Sequence, residues 1–530
     1  MVSAEPPECG AVSVRRSLGK NNFALVAICL TSLMFGLEIS SVPVTLPIIQ
    51  HLFKGSFGDM QWIVNAYTLA VSTILMAVGT LVDRFGRRVV FLCSLALFGL
   101  TSLLCGLAQD VPTLILGRAL QGASGGAMLI SQVAVLSGQF HVGRERARAF
   151  SAWGIFLGIG LGFGPTIGGV LVDMMGWEWV FLIHALLAMP TFLLLWFGVE
   201  KTQNSATHKL DVFGILALSL GVFGLVYAIT RGPEKGFTSG YTLSIIACAS
   251  LAFAAFIGAE KVSHHPAFDF SLLKLPRFSG ALMGSIGMNF SFWPFMIYIP
   301  IYFQVALGYD PATAGVALLA YTVPTLIFPP LGERIVVRMG PAVAIPVGLF
   351  TIGLGFFLMK LGSIASHPSA LTMLPGCALA GAGLGLTNTP VTNTTTGAVS
   401  ADRAGMASGI DMTTRMLTLA INISLMGAIL TTGILSELRA LLPAAVAEPV
   451  LRPLVENIVA GNVDALRAGM PALDSLGSSA TVLRKALNCG FGWTMLYGGI
   501  GAWILAALSL LIFRSEQGSS LIRGGRTRDE

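Results

Sequence analysis

The feature that most constrains this chain is a succession of fourteen apolar runs, each close to the roughly 20 residues a helix needs to cross a bilayer core. They fall near 23–48, 60–81, 89–108, 111–136, 149–171, 178–198, 211–230, 241–261, 279–306, 313–332, 340–360, 369–393, 404–432 and 490–513. Hydrocarbon offers no partner for a peptide N–H or C=O, so such segments must cross as helices that satisfy their own backbone. Composition agrees: 54% of residues are hydrophobic and 11% charged, whereas soluble chains carry about 25% charged residues. An all-α membrane protein is expected, and an even number of crossings returns both termini to one side.

Charge placement orients it. With the N-terminus inside, 21 of the 32 Lys and Arg residues are cytoplasmic, nine are outside and two, Arg118 and Arg415, lie within spans. Five of the nine sit in one long loop, which carries little topological weight, so the short loops compare 21 with 4. The first 22 residues are polar and show no cleavage signature, so the first apolar run is read as a retained helix. A net charge of +6 over 530 residues does not suggest nucleic acid as a partner. The seven cysteines show neither metal-ligand spacing nor a disulfide framework, so no metal site is expected. The long outer loop, 436–488, contains "LVENIVAGNVDALRAG", whose periodicity suits an amphipathic helix. It reads as a solvated flap or as a gating or partner-binding element.

Several inter-helix stretches have a specific form. In "GTLVDRFGRR" (79–88), Gly79 allows close helix approach and Gly86 suits a tight turn; Asp83 can pair with Arg87 or with a helix end. "LILGRALQGASGG" (114–126) places Arg118, Gln121 and Gly122 inside the fourth span. "GLGFGPTIGG" (160–169) carries Gly160, Gly164, Pro165, Gly168 and Gly169. Gly154, Gly158 and Gly162 also recur every four residues, a spacing that lets helices pack backbone to backbone, while a proline bends the helix.

In this order these stretches resemble the loop signature, fourth-helix motif and antiporter motif of the major facilitator superfamily. Fourteen spans, with "LEISSVPVTLP", "WIVNAYTLA", "WEWVFLIH", "HPAFDFSLLKLPRF", "YIPIYFQVALGYDPATAG" and "RAGMASGIDMTTR", make the chain similar to the drug:proton antiporter-2 family over nearly its whole length. The resemblance implies the major facilitator fold with 14 helices as 6+2+6. A cytoplasmic tail (1–22) precedes a six-helix bundle (23–200) and two linker helices with their loops (201–278). A second six-helix bundle (279–513) and a cytoplasmic tail (514–530) follow. It also implies that Gly79, Asp83, Arg84, Gly86 and Arg87 form a gate at the cytoplasmic face, with Asp83 and Arg84 latching the halves. "PPLGERIVVRMG" (329–340) stands where a second copy belongs, but Glu333 replaces Gly79 and Val337 replaces Asp83, so the latch is expected to be asymmetric.

Few ionisable groups lie within spans: Glu38, Arg118, His184, Asp411 and Arg415. At about 1.5 Å per residue, Glu38 is roughly 22 Å from the inner start of its helix and Arg118 roughly 10 Å from the outer start of its own. In a core about 30 Å thick the two depths nearly coincide. Burial disfavours an ionised carboxylate and a guanidinium favours it, so a group moving between such surroundings can take and release a proton. Glu38 is either that proton and cation site or one half of a fixed ion pair. The family usually has Asp here. Asp411 and Arg415, four apart on one helix face, either pair internally or set substrate charge preference. His184 is expected on a peripheral helix as a packed neutral ring; His264 and His265 fall in a loop without ligand partners. Cavity candidates are Trp62, Asn65, Tyr67, Gln121, Asn289, Trp293, Asn388 and Asn393, the aromatic faces being suited to flat cations.

No Walker loop, HExxH, GxSxG or nucleophile–base constellation occurs, so no enzyme and no cofactor is expected. The resemblance implies a monomeric proton-coupled antiporter in a bacterial inner membrane, exporting small amphipathic, cationic compounds by alternating access with the proton gradient as energy source. Its partners are a small-molecule substrate and the lipid bilayer. A dedicated exporter of one metabolite, such as a siderophore or amino-acid-like compound, remains the alternative. A transporter-like sensor is more remote, because the C-terminal tail is short.

Overall fold

The computed structural model describes residues 9–54, 57–140, 143–201, 212–262, 270–309, 311–365, 368–400, 403–441, 455 and 479–526. All regular structure among them is helical. The helices are α1 (Cys9–Phe53), α2 (Phe57–Phe85), α3 (Arg87–Gly106), α4 (Val111–Gln139), α5 (Arg144–Met175), α6 (Trp179–Gly198), α7 (Val212–Lys235) and α8 (Gly240–Val262). After a short 3-10 turn come α9 (Pro276–Phe290), α10 (Phe292–Ile301), a π-turn at Tyr302–Ala306, α11 (Pro311–Ile327), α12 (Pro329–Met339) and α13 (Pro341–Ser363). The last are α14 (Ala370–Gly397), α15 (Ala404–Leu441) and α16 (Ser479–Arg526).

Thirteen helical stretches are long and apolar enough to cross a membrane, and a bent pair within α2 makes fourteen. That pair, Trp62–Leu75 and Ala77–Phe85, turns by 51°. α9, α10 and the π-turn make one crossing (Pro276–Ala306), as do α11 and α12 (Thr313–Met339). Each crossing overlaps one of the fourteen apolar runs. Local chemistry sets several boundaries. Asp110 caps α4, accepting from the Thr113 N–H at 2.8 Å, with Pro112 in the first turn. Gly86 and its counterpart Gly340 turn the chain into α3 and α13 at φ +86° and +85°, where a side chain would be strained. The amphipathic stretch at 454–469 lies outside the described residues apart from Val455, and of the rest of 436–488 only the end of α15 and the start of α16 are described.

The chain divides into two units, Met1–Phe270 with Thr395–Thr413, and Ser271–Thr394 with Thr414–Glu530. The helices expected as a linker, α7 and α8, therefore belong with the first unit. α7 lies along α2, where the Ser219 hydroxyl donates to the Thr73 carbonyl at 3.0 Å and Tyr227 meets the Trp62 ring. In the first unit α1 packs along α5 and α6, and α4 along α2 and α3. The second unit buries an aromatic core in which Phe292 stacks on Tyr321 with centroids 4.1 Å apart and Phe295 meets Phe356 at 5.0 Å.

Candidate functional site

Within the first unit, Arg118 of α4 donates through Nη1 to Glu38 Oε1 of α1 in a buried ion pair. Glu38 is 0% and Arg118 2% exposed. The coincidence of depth read from the sequence is thus a contact. The guanidinium is fixed on several sides. Its Nε donates to the Ile63 carbonyl of α2 at 3.1 Å, and its Nη1 also reaches Gln121 Oε1 at 2.7 Å. The Tyr67 ring lies 4.3 Å from the guanidinium carbon, in cation–π geometry. Gln121 in turn donates to the Ser102 hydroxyl of α3 at 2.8 Å, and Cys105 Sγ sits 3.6 Å from its carbonyl oxygen. An isolated charge in hydrocarbon costs about 2.5–3.5 kcal/mol on insertion scales, and this cluster offsets that cost with pairing and directed hydrogen bonds.

The arrangement is unequal at the two carboxylate oxygens. Glu38 Oε2 makes no hydrogen bond among the described residues, and His184 Nδ1 lies 3.4 Å from it. His184 was expected at the periphery. α6 exposes Leu186, Met189 and Phe197 on its outer side while packing on α1, and the ring reaches the Met34 carbonyl with Nε2 at 3.1 Å. The Tyr67 hydroxyl is likewise buried without a hydrogen-bond partner among the described residues. Ser102 and Cys105, three apart on one face of α3, escaped sequence reading; two polar side chains at that spacing on an apolar helix were the available signal.

Other cavity candidates diverge. Ile63 and Tyr67, four apart on α2, take the face toward Arg118. Trp62 is turned about 100° away, so its ring packs on α7, 5.9 Å from the Tyr227 centroid and 4.5 Å from the Arg231 guanidinium carbon. Asn65 is half-buried. In the second unit Asn289 donates to the Ser285 carbonyl of its own helix, and Trp293 meets Phe292 edge-on at 5.5 Å. Arg415 of α15 donates to Asn388 Oδ1 at 2.5 Å and to the Thr392 hydroxyl at 2.8 Å, both on α14. Asn393 donates to the buried Glu333 at 2.7 Å. Asp411 is fully buried in the 395–413 segment of the first unit. His264 and His265 lie outside the described residues.

Behind Glu38, α1 and α5 touch backbone to backbone. A Cβ placed on Gly160 would stand 2.6 Å from the Leu33 carbonyl oxygen, and one on Gly36 2.6 Å from that of Leu157. Gly164 faces the Ser40 hydroxyl and Gly168 the Ser41 side chain, so the face of α5 on α1 is Gly160–Gly164–Gly168. Gly169, one residue on, has nothing within 4 Å of a Cβ. Pro165 lies inside α5, which runs through it without a break.

The 79–88 loop closes the far end of the first unit. Asp83 accepts from the N–H groups of Gly405 and Met406, each at 2.8 Å, in the first turn of α15. A carboxylate there meets unsatisfied donors and the positive end of the helix dipole. Gly79 lets the helices this close, since its Cβ would fall 2.6 Å from the Gly405 carbonyl oxygen. Arg84 lies 5.4 Å from the Phe85 centroid, and Arg87 donates to the Ala134 carbonyl of α4 at 3.3 Å. Arg146 of α5 joins the same region, donating to the Ser137 carbonyl and the Thr396 hydroxyl, each at 2.9 Å. At the second copy Val337 is 47% exposed and Glu333 is turned inward, which is the asymmetry expected from the sequence.

The comparisons with known proteins agree with this architecture. The chain is 33% identical to the multidrug resistance protein Stp of Mycobacterium tuberculosis over 82% of its length and 80% of that protein's. It is 28% identical to the tetracenomycin C resistance and export protein of Streptomyces glaucescens, over 93% and 91%. Its fold matches the proton:xylose symporter XylE with a TM-score of 0.56 at 14% identity, covering 93% of this chain and 95% of that one. The family model described as Major Facilitator Superfamily matches residues 28–422. Fourteen apolar crossings, the Asp83 cap, the close α1–α5 contact and these matches lead to one conclusion: this chain is a multi-pass membrane protein of the major facilitator superfamily.

Proposed function

We propose that the protein is a proton-coupled antiporter of the fourteen-helix drug:proton type, a transporter and not an enzyme, which exports small amphipathic cations across a bacterial inner membrane. It works as a monomer with both termini in the cytoplasm and uses the proton gradient in place of any cofactor. The observation that carries this reading is the Glu38–Arg118 ion pair, buried within the first unit. Relatives bearing drug-resistance names support the substrate class, and the excess of Lys and Arg in alternate short loops supports the orientation.

The coupling follows from charge. Two unit charges 4 Å apart attract by about 4 kcal/mol at an effective dielectric of 20. Neutralising Glu38 with a proton removes that attraction and loosens Arg118. Deprotonation restores a carboxylate that either Arg118 or a cationic substrate can neutralise. Proton and substrate thus compete for one group, which is the requirement for exchange. A second reading, a dedicated exporter of one compound, is favoured by the resemblance to the tetracenomycin C resistance and export protein.

The test is acridine-orange dequenching in inverted, respiring vesicles, with ethidium, tetraphenylphosphonium and neutral amphiphiles added in turn. Dequenching by the cations in wild type and none in Glu38→Gln is the expected result. No response to any compound, with folded protein present, would sink the broad-exporter reading in favour of the dedicated one. Equal responses in wild type and Glu38→Gln would remove Glu38 from the coupling.

A further inference from the structure

His184 enters the charged cluster from α6, and oxygens surround both of its ring nitrogens. Its ring is 1% exposed, with Phe98 edge-on at 5.9 Å. Three oxygens stand around its nitrogens: the Val180 carbonyl at 3.0 Å and Glu38 Oε2 at 3.4 Å from Nδ1, and the Met34 carbonyl at 3.1 Å from Nε2. Carbonyl and carboxylate oxygens accept only. A neutral imidazole has one N–H, so it would press one nitrogen lone pair against a carbonyl lone pair, a buried polar mismatch of the costly kind. With both nitrogens protonated the ring satisfies both carbonyls and presents positive charge to Glu38 Oε2, which makes no hydrogen bond among the described residues.

The other titratable or charged groups at this cluster are Glu38 on α1, Tyr67 on α2, Cys105 on α3 and Arg118 on α4. Arg118 is permanently charged and held by Ile63, Gln121 and Glu38, so it is not the carrier of a mobile proton. We propose that His184 holds the exchangeable proton of this site as an imidazolium facing Glu38. Transfer breaks the Nδ1–H bond and forms an Oε2–H bond, converting imidazolium and carboxylate into imidazole and carboxylic acid. The charge of the pair is conserved and no further reactant is required. Glu38 thereby stays ionised against Arg118 while the proton waits beside it, and accepts that proton only as the Arg118 pair loosens. This deepens the antiport reading, on which only the second arm of the following test rests.

The first arm is nitrogen NMR of the full chain in lipid nanodiscs with labelled histidine, using His184→Gln to assign the ring among the seven histidines. The expected spectrum has both His184 nitrogens protonated in wild type. A neutral His184 in wild type overturns the proposal, and that outcome needs no variant other than the one used for assignment. The second arm measures ethidium in vesicles. His184→Gln keeps a donor for the carbonyls but removes the ionisable ring beside Glu38, so it is expected to lose acceleration of ethidium efflux by a pH gradient. Unchanged acceleration also overturns the proposal. If wild type moves no ethidium, the exporter reading fails while the spectrum still decides where the proton resides.

Discussion

Substituting Gly160 by alanine tests whether the α1–α5 contact positions the charged cluster. The new Cβ would lie 2.6 Å from the Leu33 carbonyl oxygen, 2.8 Å from the Leu37 nitrogen and 2.9 Å from the Gly36 Cα, all of them backbone atoms that cannot rotate away. Restoring ordinary contact at 3.4 Å requires the helices to part by about 0.8 Å. Overpacking of this kind costs about 1–3 kcal/mol. Glu38 is two residues beyond Gly36, so it moves with α1, and a misplacement near 1 Å can cost about 100-fold in a positioned reaction. Gly169→Ala is the internal control, because its Cβ meets nothing within 4 Å and alanine raises helix propensity by up to about 1 kcal/mol. Thermal unfolding followed by size-exclusion chromatography, with ethidium efflux from vesicles, gives both readouts. Gly160→Ala is expected to unfold earlier and transport far more slowly, with Gly169→Ala at or above wild-type stability. Indistinguishable variants would refute the reasoning, since motif membership alone treats the two glycines alike.

Three further outcomes are expected. Asp83→Asn removes the charge from two hydrogen bonds at the start of α15, each worth about 1.5–3 kcal/mol when charged; transport should fall and trypsin cleavage near Arg403 should rise, whereas an unchanged digest would contradict the cap. Arg118→Lys keeps the charge but gathers its donors on one nitrogen, losing the fork that spans from the Ile63 carbonyl to Glu38 and Gln121, so efflux should be lost in folded protein; wild-type efflux would show that charge alone suffices. Trp62→Ala should lower thermal stability through the lost contacts with Tyr227 and Arg231 and leave the range of exported compounds unchanged; an altered range would return Trp62 to the substrate path.

Much of this architecture was legible because hydrocarbon enforces it. A span must be long, apolar and helical, so the fourteen runs translate directly into crossings. Depth arithmetic put Glu38 and Arg118 at one level because rise per residue is fixed, and the family resemblance, which implies that the first and fourth helices line one cavity, made a contact between them possible. Rotation about a helix axis was harder to read. An error of one residue is about 100°, which is why Trp62 was placed with Tyr67 although its ring packs on α7. Pairings between helices distant in sequence were harder still. Neither the reach of His184 to α1 nor the choice of the α15 N-terminus as Asp83's partner follows from spacing along the chain. The linker helices were placed by the family resemblance, whereas the contacts of α7 with α2 depend on this chain's own side chains.

The most direct test of the central claim is a count of protons released when tetraphenylphosphonium binds the purified protein in weakly buffered detergent, read with a pH-indicating dye. Competition at the cluster around Glu38 requires that cation binding expel a proton. Wild type is expected to release one and Glu38→Gln to release none, with binding confirmed separately by calorimetry. Equal release from both proteins would contradict the account and move the coupling site away from the Glu38–Arg118 pair.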